Sequence, residues 1–184
     1  MVTLGTGVGG GIVIGGKLYS GFNYAGAELG HTVIAHGGRP CTCGRRGCWE
    51  AYSSATALIE MTKEKMEQTK DTVMWQMCNN GAGKVSGRTA FNAAKQGDRA
   101  GREVVEDYIS YLACGIVNMV NIFQPEVLCI GGGVCGEGDY LLAPLKAIVD
   151  RDQYGSASHD DKTQLKIAEL GNDAGIIGAA LLGF

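Results

Sequence analysis

Glu126-Val127-Leu128-Cys129-Ile130-Gly131-Gly132-Gly133-Val134 decides the fold. A short apolar run bounded by Pro125 and three glycines reads as a buried strand with a glycine turn at its carboxyl end. Upstream, the stretch from Arg99 to Phe123 carries Val104, Val105, Tyr108, Ile109, Leu112, Ile116, Val117, Val120 and Phe123 at helical spacing, and Pro125 closes it. Downstream, residues 138–150 read as a helix and Gln164 to Leu170 alternates like a strand. Asn172 or Asp173 then caps a small-residue helix to Leu182. Strands alternating with helices predict an α/β sheet with crossover connections.

The amino-terminal segment reads differently. Val2-Thr3-Leu4 starts a strand, Gly5 to Gly11 forms a loop or very open strand, and Ile12-Val13-Ile14 resumes it. Gly15-Gly16 then turns the chain into Lys17-Leu18-Tyr19. A strand one residue after the initial Met suggests a chain that starts partway into a larger protein. Residues 22–50 lack periodicity and read as an ordered loop. From Ser53 or Ser54, a plausible N-cap, Leu58, Ile59, Met61 and Met66 mark one face of a helix to about Lys70. Two shorter helical pieces flank Gly81-Ala82-Gly83.

With 184 residues the chain is about one domain, and no internal repeat or linker divides it. A net charge of -3, from 16 Lys+Arg against 19 Asp+Glu, gives no basic stripe for a nucleic acid. Apolar residues at 45% exclude a disordered chain, and the apolar runs stop short of a bilayer span. No segment resembles a signal peptide, so the expected location is the cytoplasm.

Glycine supplies 30 residues, about twice the ordinary share, and cysteine seven. An odd cysteine count with three inside eight positions argues against a disulfide framework and for a metal. His31, Cys41, Cys43 and Cys48 form a donor set suited to tetrahedral zinc, with His36 as the alternative imidazole. Four protein ligands leave no position for an activated water, so such a metal orders the loop. Cys78, Cys114, Cys129 and Cys135 read as small core hydrophobes.

Two glycine loops remain. Gly5-Thr6-Gly7-Val8-Gly9 lies inside a hairpin, so it is neither a Walker loop nor a dinucleotide fingerprint. Its N–H groups and the Thr6 hydroxyl suit an anion, against the plainer reading of a tight turn. Gly131, Gly132 and Gly133 follow a strand, where open α/β sheets place ligands. Together they suggest a nucleotide spanning both turns.

These stretches, with Ala25 to His31, the cysteines ending at Glu50, and Leu170 to Gly175, resemble the ROK family of repressors, open reading frames and sugar kinases. The closest likeness is to its bacterial ATP-dependent glucokinases. The resemblance implies the carboxyl-terminal lobe of an actin-like, ribonuclease H-like ATPase fold, with a β-hairpin start, a central mixed sheet, flanking helices and a zinc loop. It implies that Glu28, His31 and Glu50 contact sugar hydroxyls, with His31 also a zinc ligand. Gly5, Thr6, Gly7 and Gly9 match a phosphate loop, and Gly131 to Gly133 the adenosine side, with Mg²⁺ accompanying ATP. It also implies a homodimer and a glucose-like hexose as partner.

Part of the family pattern has no match. The Asp-Gly-Gly-Thr-like phosphate motif and the Asn-Asp pair that supplies the general base belong to an amino-terminal lobe, and neither occurs here. Asn172-Asp173 sits at a helix start instead. The expectation is therefore a single lobe, 1–184, without its base and without turnover of its own, with Ile176, Ile177, Leu181 and Leu182 under-covered. The alternative is the sugar-sensing effector lobe of a repressor.

Overall fold

Strand β1 (Val2–Leu4) is the hub of a mixed sheet. The computed structural model describes residues 1–155 and 162–181. In it β1 pairs antiparallel with β2 (Val8–Gly10), and a separate ribbon joins β3 (Val13–Ile14) to β4 (Lys17–Leu18) around Gly15-Gly16. The predicted single hairpin is thus two hairpins. Val8–Gly10 is a strand and not a loop, because its backbone pairs with Thr3 and its neighbours although two of its three residues lack side chains.

Residues 22–49 have no long element, as expected, apart from a 3₁₀ turn at Leu29–His31. Helix α1 (Glu50–Ser53) adds a turn ahead of the expected start. Ser54 then caps α2 (Ala55–Gln68), its hydroxyl accepting from Ala57 N–H at 3.0 Å. The short α3 (Met74–Met77) and α4 (Thr89–Lys95) flank the Gly81 region. Helix α5 (Arg99–Phe123) has the predicted limits. Asp98 caps it, accepting from Gly101 N–H at 2.7 Å, and Gln124 ends it in the left-handed conformation just before Pro125.

Strand β5 (Val127–Gly131), α6 (Asp139–Asp152), β6 (Gln164–Ile167) and α7 (Ala174–Leu181) complete the described chain. The sheet order is β2-β1-β5-β6, with β1–β5 and β5–β6 parallel. Val2 and Leu4 of β1, Leu128 and Ile130 of β5, and Leu165 of β6 point into one core against α5, whose Tyr108, Leu112 and Ile116 are fully buried. Burial of each such side chain contributes on the order of 2 kcal/mol. The other face of the sheet, at Thr3, Gly9 and Gly131, borders an open cleft.

Cys78 and Cys135 are buried and Cys129 half-buried, but Cys114 is exposed. It lies on the outer stripe of α5 with Asp107, Ser110 and Tyr111, one to two turns apart. Ile176, Ile177 and Leu181 of α7 are exposed as expected; Leu182 lies outside the described residues.

Candidate functional site

The cysteine loop folds on its own backbone. Cys41 N–H donates to Arg45 O at 2.9 Å and Gly44 N–H to Cys41 O at 3.0 Å, a tight turn that sets Cys41 and Cys43 side by side. Val33 bridges Cys48, and Trp49 N–H reaches Thr32 O at 2.8 Å, returning the third thiol beneath the turn. His31 ends the 3₁₀ turn and faces Cys41, its Nδ1 3.6 Å from the sulfur.

All four donor atoms of His31, Cys41, Cys43 and Cys48 lie within 4.8 Å of one another. His36 is exposed and outside this group, and His31 is the imidazole that lies with the thiols. A tetrahedral zinc with bonds of about 2.3 Å to sulfur and about 2.0 Å to nitrogen requires edges of about 3.8 Å and 3.5 Å. The observed Cys43–Cys48 separation of 3.7 Å and Cys41–His31 separation of 3.6 Å fit those edges. Burial pushes the Cys48 thiol up to about 12, so only a bound cation makes its thiolate favourable near neutral pH. The Arg45 N–H, an opposing burial cost and the neighbouring thiols leave Cys43 net lowered. The donor set suits zinc, which when bound pins the loop.

Immediately after the last cysteine, Trp49 is fully buried and its indole lies against Gly115 of α5. Glu50 follows and points back toward the sheet. Its Oε2 accepts from Val8 N–H at 3.0 Å, and its Oε1 accepts from Thr42 Oγ1 at 3.3 Å and faces the Cys41 thiol at 3.7 Å. One carboxylate therefore touches both the glycine hairpin and the cysteine loop. A Cβ on Gly7 would overlap Glu50 Oε2, so this approach requires glycine there. Glu28 stands three residues before His31, exposed and without a side-chain partner among the described residues.

The two glycine turns meet. Gly5, Gly7, Gly9, Gly131, Gly132 and Glu50 line a single cleft of about 780 Å³ on the open sheet face. Gly132 has φ +101°, and a Cβ there would overlap Leu4 O, so the second turn is pressed against β1. Gly171, Ala174 and Gly175 close the far side, and the buried Cys135 thiol borders it, pushed up to about 11 by burial. Gly133 is not among the lining residues, and Thr6 borders a neighbouring cavity of about 560 Å³. A larger cavity, about 860 Å³, lies beside Pro125, Lys146 and Lys166 and touches none of the expected site residues. Thr42, which donates to Glu50, and Thr56, whose hydroxyl donates to Thr6 O at 2.8 Å, were not legible in the sequence, since each depends on a partner that only folding brings near.

The mixed α/β lobe thus sets a cysteine–histidine donor group suited to a metal beside a glycine-lined cleft. The model of the ROK family matches residues 1–183, and the chain belongs to that family. It is 39% identical over 183 residues to a glucokinase of Halalkalibacterium halodurans, covering 99% of this chain and 54% of that one. It is 27% identical over 179 residues to a xylose repressor of Caldicellulosiruptor bescii, covering 96% and 43%. Among solved structures it superposes on a ROK family glucokinase from Streptomyces griseus in complex with glucose and AMPPNP. The TM-score is 0.89 at 33% identity, over 98% of this chain and 58% of that one. The chain spans about half the length of the curated relatives it matches.

Proposed function

We propose that this chain is the zinc-, sugar- and nucleotide-binding lobe of a sugar kinase that transfers the γ-phosphate of ATP to the 6-hydroxyl of glucose. The observation that carries the reading is the single cleft that gathers both glycine turns and Glu50. Glucokinases among the relatives, one of them holding glucose and the ATP analogue AMPPNP, support it.

In this reading the amides around Gly5 to Gly9 hold the phosphates, and Gly131 to Gly133 let the adenosine approach the backbone. Mg²⁺ accompanies the phosphates, because phosphoryl transfer depends mainly on positioning and charge neutralisation. Glu28 and Glu50 accept hydrogen bonds from sugar hydroxyls, and His31 joins the sugar side to the metal knuckle. Zinc, when bound, supplies rigidity. In the transfer the hexose oxygen bonds to the γ-phosphorus, the bond to ADP breaks, and a general base takes the hydroxyl proton. We assign that base to a second lobe of the kinase, so that these 184 residues bind but do not turn over. The cytoplasm and a homodimer complete the proposal; no helix among the described residues is long and apolar enough to cross a membrane.

The second reading, a sugar-sensing repressor lobe, has the xylose repressor match in its favour. Calorimetric titration with Mg·ATP separates the two. A kinase lobe binds it, whereas binding of glucose but not Mg·ATP would support the repressor lobe.

A further inference from the structure

Every carbonyl of the turn Gly5-Thr6-Gly7 is occupied. Gly5 O accepts from Ala55 N–H at 2.8 Å, and Gly7 O from Gly5 N–H at 3.0 Å. Thr6 O accepts from Thr56 Oγ1 at 2.8 Å. The N–H groups of Thr6 and Gly7 have no acceptor among the described residues.

The consequence is electrostatic. A carbonyl oxygen repels an anion and an N–H attracts it, so a turn suits phosphate only when its carbonyls are held elsewhere. In a trans peptide the N–H points opposite to the C=O. Gly5 O and Thr6 O are both drawn to the start of α2, and this turns the Thr6 and Gly7 N–H groups away from that helix. Thr6 and Thr56 border the 560 Å³ cavity, while Gly5 and Gly7 line the glycine cleft on the other side of the turn. The hold on Gly5 is backbone to backbone. The hold on Thr6 is a side chain.

We infer that Thr56 is a positioning residue for phosphate binding: its hydroxyl keeps the Thr6 carbonyl out of the glycine cleft and so frees the Gly7 N–H for the phosphate of a nucleotide, beside the Thr6 N–H that the Ala55–Gly5 bond orients. The inference rests on the reading of that cleft as a nucleotide site. Thr56 is exposed in the first turn of α2, so Thr56→Val removes the donor with little change of shape.

The test titrates Mg·ATP and, separately, adenosine into the wild type, Thr56→Val and Thr56→Ser, with zinc content measured alongside. Loss of one hydrogen bond predicts Mg·ATP binding roughly three- to tenfold weaker in Thr56→Val, recovered to within about twofold by Thr56→Ser. Adenosine affinity and zinc content should stay at wild-type values. Unchanged Mg·ATP affinity in Thr56→Val would overturn the role of Thr56 and leave the cleft assignment standing. An equal loss for adenosine would overturn it as well, by showing a general disturbance. A wild type that binds no Mg·ATP would remove the cleft assignment and this inference together.

Discussion

Glu50 accepts the N–H of Val8, a residue 42 positions earlier, at 3.0 Å. Because Glu50 sits two residues after Cys48, this bond ties the glycine hairpin to the cysteine knuckle. Its other oxygen, held by Thr42, closes the frame.

Replacing Glu50 by Ala leaves the Val8 N–H without its acceptor in a partly buried setting. Such a loss costs about 1–3 kcal/mol. Urea unfolding should show a lower midpoint with an unchanged slope. A midpoint equal to wild type would show that the bond contributes nothing to the folded state.

Gly115 is the seat of Trp49. A Cβ at this position would overlap the indole. Gly115→Ala gains about 1 kcal/mol of helix propensity, but overpacking a rigid, fully buried indole costs about 1–3 kcal/mol. The expected net effect is a lower melting temperature, with Trp49 emission shifted to the red in a Trp75→Phe background. A more stable variant would contradict the packing described.

Asp98 gives a pH dependence. Burial pushes its pKa upward, but the N–H groups of Gly101 and Val73 and the Thr72 hydroxyl outweigh that and leave it below the usual carboxylate value. A depressed folded pKa means stability present above the unfolded value, near 4, and lost as pH falls through the folded one. Asp98→Ala should therefore lose about 1–2 kcal/mol at neutral pH. The gap to wild type should narrow below about pH 4. A gap constant from pH 7 to pH 2 would refute the role of the ionised carboxylate.

Turnover offers a fourth check. In a coupled assay with glucose and Mg·ATP, the 184-residue chain should give no product above background. Substantial glucose-dependent ADP release would contradict the placement of the base in another lobe.

Much of this was legible in the sequence where side chains carry the signal. Pro125 closes α5, and its buried stripe follows the helical period. Strand Val8–Gly10 was legible only as one of two readings, loop or open strand, because its pairing runs through backbone and only Val8 offers a side chain to the core. The spacing left His31 and His36 both open, and the 3₁₀ turn at Leu29–His31 places His31 beside the thiols. The Glu50–Val8 bond and the hold of Thr56 on Thr6 join residues 42 and 50 positions apart, a separation that no local pattern encodes. Cys114 is a different case, since the helical period that buries Leu112 also turns position 114 outward.

Elemental analysis of purified protein addresses the knuckle itself. The wild type should carry one zinc per chain, and Cys43→Ser should lose most of its metal and the order of its loop. Protein that is folded yet carries no stoichiometric metal, or a Cys43→Ser loop as well ordered as before, would contradict a zinc-pinned loop.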